Sequence, residues 1–423
     1  MSGSPAERFA LPGSELCVHC GFCLQACPTY LALDDENDSP RGRIVLMKAL
    51  ADGTLAHGDR DAQAHVDRCL GCRACETACP SGVPYGHLLE MTREQLAKER
   101  PLPAVARVVL AVFARERLLR IAMLGARLLR ASGLPRLLSR MPGAGGFAMA
   151  MLASTRRSAA EANRSYTPGG DGSRGSVATL RGCVMEGIFA PANRATERTL
   201  AENGYRLVAA PGQQCCGALH AHAGDAPAAR RLAKANIEAF ERSGAERVAV
   251  NSAGCGAMMK EYASLLAGDA EWVGRAEAFG RRVADVSELL AAAGPVPGGP
   301  LPVQVAYDAP CHLAHGQRIT VPPLAVLGAI ARLELRPLTD AEQCCGSAGI
   351  YNLVEPEMSR LVLAPKLGHI EASGAAIVAT GNPGCLMQIG AGLARSAGGR
   401  AIVTRHPVEL LDASYAARHS RAS

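Results

Sequence analysis

Two cysteine runs near the N-terminus constrain the fold of this 423-residue chain more than any other feature of its sequence. Each run has the spacing C-x2-C-x2-C-x3-C and is followed directly by proline. The cysteines are Cys17, Cys20, Cys23 and Cys27 in the first run and Cys69, Cys72, Cys75 and Cys79 in the second. Gaps of two residues allow a tight loop to direct three thiolates at one metal centre. We therefore expect this part of the chain to fold around metal.

The fourth cysteine of each run points away from the loop that carries the other three, and in two-cluster ferredoxins it binds the other cluster. The spacing thus predicts two [4Fe–4S] clusters. The first would be held by Cys17, Cys20, Cys23 and Cys79, and the second by Cys69, Cys72, Cys75 and Cys27. A pair of zinc sites is the alternative, because C-x2-C is also half of a zinc knuckle. Four cysteines and a trailing proline in each run favour the clusters.

The insert between the two runs predicts a helix. In SPRGRIVLMKAL, residues 39–50, Ile44, Met47 and Leu50 recur at helical spacing after Ser39 and Pro40. We therefore expect an α-helical two-cluster ferredoxin domain over residues 1–100 rather than the small βαβ ferredoxin. Three histidines lie near the runs, but the complete cysteine set makes them poor candidates for ligands; they are His19, His65 and His87.

Residues 101–175 are predicted to form a basic helical segment and a linker. Residues 101–140 contain eight arginines and one acid, Glu116, among aliphatic residues. Such a segment can lie on anionic lipid or dock a partner, although a helix packed on its own domain shows the same pattern. A GxGxxG match at Gly170, Gly172 and Gly175 comes before an apolar run instead of after a strand, so we do not expect a nucleotide site there.

The other eight cysteines form an internal repeat offset by 128 to 130 residues. They are Cys183, Cys215, Cys216 and Cys255 in the module at 176–295, and Cys311, Cys344, Cys345 and Cys385 in the module at 301–418. Both modules alternate β-branched runs with helical segments, which predicts parallel sheets with the cysteines gathered at the carboxyl ends of strands. The chain is then an α+β multidomain protein, with the helical ferredoxin module followed by two related α/β cysteine-rich modules.

Four thiols at a sheet edge could bind a further iron–sulfur cluster, bind zinc, or act as a redox dithiol at the Cys-Cys pair. The sequence leaves these alternatives open. Nearby histidines are expected to lie in turns and not to act as ligands; they are His220, His222, His312 and His315.

Composition narrows the class of protein. Sixteen cysteines in a chain whose start does not resemble a secretory signal favour a reducing, cytoplasmic location and metal or redox roles. A net charge of +6 with 1 Trp, 8 Tyr and 7 Phe gives no support for nucleic acid binding. No apolar stretch reaches the ~18 residues that a spanning helix needs, so membrane contact is expected to be peripheral or through a partner.

The motifs CVHCGFCLQACPTY, SPRGRI and DRCLGCRACETACPSGVPY, together with the two Cys-Cys-Gly modules, resemble the iron–sulfur subunits of glycolate oxidase. The resemblance implies an electron-transfer subunit of a membrane-associated complex. Flavin-containing partner subunits would oxidise glycolate to glyoxylate, and electrons would pass through this chain toward the quinone pool at the cytoplasmic face of the inner membrane. Flavin would belong to the partners only, and this chain would have no substrate-oxidising site. The eight cysteines from Cys17 to Cys79 match the family's cluster ligands.

The C-terminal modules are similar to the cysteine-rich domains of heterodisulfide reductase, whose last motif is C-x-x-C and holds an unusual cluster. Here Met258 and Gln388 occupy the final position of the two motifs, so each module is one thiol short. An identical cluster is therefore not expected, while a four-thiolate site stays open.

Three alternative functions remain. The chain could be the equivalent subunit of a D-lactate or glycerol-3-phosphate dehydrogenase, which would differ mainly in partner and substrate. It could be a thiol reductase of the heterodisulfide reductase type, with the Cys-Cys-Gly cysteines as the catalytic pair. A structural zinc scaffold is the third alternative.

Overall fold

The N-terminal part of the chain is helical. A computed structural model describes residues 8–422, so residues 1–7 of the predicted first domain lie outside the described residues. The helices are α1 (Pro28–Leu33), α2 (Pro40–Ala51), α3 (Arg60–Asp67), α4 (Ala74–Thr77) and α5 (Tyr85–Glu99). No strand occurs between residues 8 and 100, which agrees with a helical ferredoxin module.

Helix α2 is the helix predicted from the insert. It begins at Pro40, which has no N–H group to leave unpaired, and the Ser39 side chain accepts a hydrogen bond from the Gly42 backbone N–H. Ile44, Met47 and Leu50 are buried in the core of this part of the chain. The predicted helix and its buried face are therefore confirmed.

A group of five helices connects this region to the rest of the chain. They are α6 (Ala104–Phe113), α7 (Glu116–Ala131), α8 (Leu134–Leu138), α9 (Gly143–Ser154) and α10 (Ala159–Ala162). Helix α7 has no buried residue, and its outer face exposes Ile121, Leu124 and Leu128. Among residues 8–422, none of the helices combines the length and the apolarity that crossing a bilayer requires.

The predicted linker after α10 is not free of contacts. The Tyr166 ring stacks on His419 with 4.8 Å between ring centroids, and the Gly169 N–H donates to Glu202 at 2.8 Å. The glycines of the GxGxxG match come before the first strand, as expected.

Two α/β regions follow. The first consists of β1 (Ser176–Thr179), α11 (Val184–Ile188), α12 (Ala190–Glu202), β2 (Arg206–Leu207), α13 (Ala218–His222), α14 (Ala226–Arg242), β3 (Arg247–Val250), α15 (Ala253–Lys260), α16 (Tyr262–Leu265), α17 (Val273–Gly280), β4 (Val283–Asp285) and α18 (Val286–Ala293). The second consists of β5 (Val303–Tyr307), α19 (Val321–Gly328), β6 (Leu333–Arg336), α20 (Tyr351–Val354), α21 (Pro356–Ala372), β7 (Ile377–Ala379), α22 (Pro383–Arg395), β8 (Val403–Arg405) and α23 (Pro407–Ala422).

The two regions repeat one sheet topology. Their four-stranded sheets have the orders β2-β1-β3-β4 and β6-β5-β7-β8, with all neighbouring strands parallel. The register corresponds as well, because Val177 pairs with Leu207 and Arg247, and Val305 pairs with Leu335 and Ile377. The predicted pair of related parallel-sheet modules is confirmed.

The two sheets share a hydrophobic core. Val177 and Leu290 from the first region pack in one cluster with Val305, Leu411 and Tyr415 from the second. Asn203 on the C-terminal side of α12 donates to the Tyr415 hydroxyl at 2.9 Å, which ties the regions together at this core. The duplicated regions therefore stabilise each other, and their cysteine-bearing edges are held in fixed relative positions.

Candidate metal centres

The first predicted cysteine set lines one small cavity. Cys17, Cys20 and Cys23 come from the loop before α1, and Cys79 follows α4. Cys20 is exposed and the other three are partly buried. Gly21 has a φ of +87°, and a Cβ there would lie 3.0 Å from the Arg41 guanidinium, so the tight loop requires glycine at this point. We name these four cysteines site 1.

The second predicted set is buried. Cys27, Cys69, Cys72 and Cys75 are each 7 to 8% exposed, and we name them site 2. Burial, strengthened by the neighbouring Cys72, Cys69 and Cys27, raises the pKa of the Cys75 thiol well above its usual range. Ionised thiolates in this place need a compensating positive charge, which the iron of a cluster supplies. The donor set therefore fits an iron–sulfur cluster.

Polar groups surround two of the site 2 sulfurs. The Cys27 sulfur lies 3.2 Å from the Thr29 hydroxyl and 4.0 Å from the Arg43 guanidinium. The Cys69 sulfur accepts hydrogen bonds from the Tyr85 hydroxyl at 3.5 Å and from the Gly71 N–H at 3.4 Å. Such donors stabilise negative charge on sulfur, and hydrogen bonds to the sulfurs are one of the factors that set a cluster's potential.

Arg43 is a residue that the sequence analysis missed. It is fully buried and pairs with Asp38 at 2.9 Å, while Asp38 also pairs with Arg68 at 2.7 Å. The available signal was its position on α2, four residues before Met47 and therefore on the buried face. A charged residue on an apolar helix face indicates a buried ion pair.

The first Cys-Cys-Gly set lies at the carboxyl edge of the first sheet, after β1, β2 and β3. The Cys215 and Cys183 sulfurs are 3.8 Å apart, and Cys216 interacts with Cys255. Hydrogen bonding with Cys183 and Cys216 lowers the pKa of the Cys215 thiol well below its usual range. The structure thus brings the four predicted residues together, and we name them site 3.

The second Cys-Cys-Gly set, site 4, has the same arrangement. The sulfurs of Cys311 and Cys344 are 4.0 Å apart, and those of Cys345 and Cys385 are 3.3 Å apart. The glycine of the motif has a steric reason, since Gly346 has a φ of +80° and a Cβ there would lie 2.5 Å from the Ser359 carbonyl oxygen. The close approach of the Gly346 backbone to the Ser359 backbone thus fixes the positions of Cys344 and Cys345.

The two residues that replace a further thiol have other roles in the structure. Gln388 is fully buried, donates to the Ser359 hydroxyl at 2.8 Å and accepts from Asn352 at 3.0 Å. Met258 packs in the hydrophobic cluster that contains Cys216. Gln388 therefore supports the segment around Gly346, and Met258 fills the core beside site 3.

The histidines near these sites lie in helical turns. His220 pairs with Asp225 at 2.9 Å, and His222 pairs with Glu90 at 2.9 Å. His312 Nε2 lies 2.9 Å from the Gly71 carbonyl oxygen, within the loop of site 2. The contacts of His222 and His312 join the N-terminal region to the α/β regions, whereas the His220 pair lies within the first α/β region.

Site 2 lies against site 4. Leu70, Cys72 and Ala74 form one buried cluster with Cys344 and Tyr351. Burial, followed by the negative charge of the Cys344 thiolate, raises the pKa of the Cys72 thiol well above its usual range. The Tyr351 hydroxyl donates to the Arg68 carbonyl oxygen at 2.7 Å across the same contact. The second N-terminal site and the second Cys-Cys-Gly site are therefore adjacent.

A hydrogen-bonded contact also joins sites 3 and 4. The Asn382 side chain accepts from the Gly254 N–H and the Ser252 hydroxyl, each at 3.3 Å, and donates to the Cys385 sulfur at 3.5 Å. Gly254 directly precedes Cys255 of site 3. The amide of Asn382 thus bridges the two duplicated edges.

Two known protein families match these regions of the chain. Residues 13–83 match a family described as a 4Fe-4S dicluster domain, and residues 177–260 and 305–390 each match one described as a cysteine-rich domain. These matches support iron–sulfur clusters in the N-terminal domain.

Curated relatives cover nearly the whole chain. It is 37% identical to the probable glycolate oxidase iron-sulfur subunit of Bacillus subtilis (strain 168), over 93% of this chain and 92% of that protein. It is 32% identical to the glycolate oxidase iron-sulfur subunit of Escherichia coli (strain K12), over 94% and 93%. Lactate utilization protein A of Shouchella clausii (strain KSM-K16) is 31% identical over 54% of this chain and 95% of that protein.

Proposed function

The chain belongs to the family of glycolate oxidase iron–sulfur subunits, and from that premise we propose that it carries electrons between a flavin-containing partner that oxidises glycolate to glyoxylate and a quinone acceptor. The complex would act at the cytoplasmic face of the inner membrane, with this chain in peripheral contact. Oxidation of carbon is assigned to the partner, together with the flavin.

The observation that carries this proposal is the contact between sites 2 and 4 through Cys72 and Cys344. Site 1 is close to site 2, because Cys75 lines the same cavity as the site 1 cysteines. Site 3 is joined to site 4 through Asn382. Sites 1 to 4 are thus neighbouring groups of cysteines, which is the arrangement that a chain of redox centres requires.

We assign Cys17, Cys20, Cys23 and Cys79 as ligands of one [4Fe–4S] cluster and Cys27, Cys69, Cys72 and Cys75 as ligands of a second. Such a cluster supplies one-electron transfer when it is bound. The exposed Cys20 places site 1 at the protein surface, where a partner can approach it. The buried side chains of site 2 exclude water, and Tyr85, Gly71 and Arg43 direct hydrogen bonds or positive charge at its sulfurs.

Sites 3 and 4 each offer four thiols and are assigned as additional metal or redox sites. An iron–sulfur cluster and zinc both remain compatible with four thiolates. Metal and inorganic sulfide analysis of the purified chain distinguishes them, because zinc at these sites adds no sulfide.

A second candidate substrate is lactate. The relatives called lactate utilization protein A match about half of this chain, and their name refers to a different 2-hydroxy acid. The electron-transfer role would be unchanged, and only the partner would differ.

The proposal is tested with Cys72→Ser and Cys20→Ser in the complete complex, with Ser81→Ala as the control. Ser81 lines the site 1 cavity but has no thiol. Each cysteine variant should lose one cluster and lose glycolate-dependent reduction of a soluble quinone analogue, while glycolate still reduces the flavin of the partner. Unimpaired quinone reduction in either cysteine variant would contradict the assignment.

A further inference from the structure

A large cavity lies away from the cysteine sites. It has a volume of about 870 Å³ and is lined by eight arginines and by no carboxylate of the described residues. Its walls come from the end of α7, from α8 and α9, and from α22 and β8. We name it the arginine cavity. A concave surface with charge of one sign concentrates an electrostatic field that attracts the opposite charge.

Most of this charge is not neutralised within the chain. Arg157 pairs with Glu409 at 2.9 Å and Arg405 pairs with Glu161 at 2.6 Å. Among the described residues, no carboxylate lies within ion-pair distance of the other six, which are Arg130, Arg136, Arg140, Arg156, Arg395 and Arg400. The cavity is therefore complementary to an anion with several negative oxygens.

Arg130 is the clearest example of a cavity arginine whose charge has no carboxylate partner among the described residues. It is partly buried and donates only to uncharged oxygens, at 3.3 Å to the Thr155 carbonyl, 3.0 Å to the Thr155 hydroxyl and 3.0 Å to the Ile188 carbonyl. Burial and the neighbouring arginines, Arg127 first and then Arg157 and Arg156, lower its pKa. A partly buried cation among like charges costs free energy unless an anion joins the group.

The surface beside the cavity is apolar. Leu134, Leu137 and Met141 are 43, 65 and 54% exposed and lie in the same short segment as Arg136 and Arg140. The exposed large apolar side chains between residues 104 and 141 are Val, Leu, Ile and Met. Exposed aliphatic side chains beside arginines are typical of a segment that lies in the headgroup region of an anionic bilayer.

We propose that the arginine cavity binds the phosphate of an anionic phospholipid headgroup, with the apolar side chains of α8 at the acyl boundary. Guanidinium groups suit this ligand because their planar fork donates two parallel hydrogen bonds to phosphate oxygens. The site would fix the chain on the membrane surface. It does not depend on the electron-transfer proposal, since binding can be measured without substrate.

The test is flotation of the cluster-loaded full-length chain with vesicles, under anaerobic conditions. The probes are vesicles of phosphatidylcholine alone and vesicles that also contain phosphatidylglycerol. The variant is Arg136→Gln/Arg140→Gln, whose two side chains are exposed and have no polar partner among the described residues. The matched control is Arg60→Gln/Arg231→Gln, which removes two exposed arginines outside the cavity and causes the same change in net charge.

We expect binding to the phosphatidylglycerol vesicles only, and competition by inorganic phosphate at constant ionic strength. Loss of each arginine should weaken binding roughly fivefold, so the double variant should bind about 25-fold more weakly, while the control pair binds like the unaltered chain. Equal binding by the cavity variant and the unaltered chain would overturn the proposal. So would binding of inorganic phosphate without any vesicle binding, which would assign the cavity to a soluble phosphate. Loss of the partner subunit from the cavity variant, with vesicle binding unchanged, would assign the surface to a protein instead.

Discussion

The Tyr85 hydroxyl donates a hydrogen bond to the Cys69 sulfur at 3.5 Å, within the buried site 2. A donor to a ligand sulfur stabilises the reduced, more negative state of a cluster and so raises its midpoint potential. Tyr85→Phe removes only this hydroxyl and should lower the midpoint potential of site 2. With about 1 kcal/mol for the bond, the expected shift is about 40 mV, measured by an EPR-monitored redox titration.

Tyr351→Phe is the control for that titration. Its hydroxyl is in the same region but donates to the Arg68 carbonyl oxygen and not to sulfur. Its site 2 potential should stay within error of the unaltered chain. Equal shifts in both variants would show that general packing, and not the bond to Cys69, sets the potential.

Arg43→Met should destabilise the N-terminal domain strongly. Asp38 would remain buried with Arg68 as its only arginine partner, and breaking a buried pair costs about 3–5 kcal/mol. Arg41→Met on the same helix removes an exposed ion pair with Glu36 and should reduce stability much less than Arg43→Met. Denaturant unfolding of both cluster-loaded variants measures the difference, and similar losses would contradict the structural role of Arg43.

Gly346→Ala should disturb site 4 more than the positive φ alone would predict. The new Cβ would lie 2.5 Å from the Ser359 carbonyl oxygen, so the Cys-Cys-Gly segment must move. Gly374→Ala is the control, because Gly374 has a φ of +67° but a Cβ added there would have no atom within 4 Å. Its cost should be about 1–2 kcal/mol. The free energy of unfolding should therefore fall further in Gly346→Ala than in Gly374→Ala, as measured by denaturant unfolding; equal losses in both would refute the steric argument.

Protonation of His406 should reduce stability in mild acid. His406 Nδ1 accepts from the Val408 N–H and Nε2 lies 2.8 Å from the Asn251 carbonyl oxygen, so the neutral ring fits both partners. Burial lowers its pKa to about 4, and the unfolded chain therefore binds the proton more tightly between pH 6.5 and 4. The contribution of the neutral His406 ring to the free energy of unfolding is therefore fully present above pH 6.5 and decreases as the pH falls below that value.

The corresponding measurement is the free energy of unfolding at pH 7.5 and pH 5.5. Between pH 7.5 and pH 5.5, protonation of His406 should lower the free energy of unfolding by about 1.5 kcal/mol. The decrease between the same two pH values should be smaller by that amount in His406→Gln. An identical pH dependence in the variant would show that the ring is not buried in its neutral form.

The sequence predicted those features that depend on local spacing. The cysteine runs indicated sites 1 and 2, the helical period of Ile44, Met47 and Leu50 indicated α2, and the repeat indicated two parallel sheets. Contacts between distant parts of the chain could not be derived in this way. The proximity of Cys72 to Cys344 depends on how the N-terminal helices pack on the second α/β region.

Side-chain roles that depend on packing were also beyond the sequence. Gln388 occupies the place of a thiol in the motif, but only the fold shows that its amide connects Ser359 and Asn352. The arginine cavity combines residues from α7 through β8, so the basic composition of residues 101–140 showed only part of it.

The most direct test of the electron-transfer account is EPR spectroscopy of the natively purified complex, kept anaerobic, before and after addition of glycolate. We expect signals of reduced [4Fe–4S] clusters to appear with glycolate and to be lost for one cluster in Cys72→Ser. Signals that appear only with dithionite would contradict glycolate as the electron source, and D-lactate and glycerol 3-phosphate would then be tested in the same experiment.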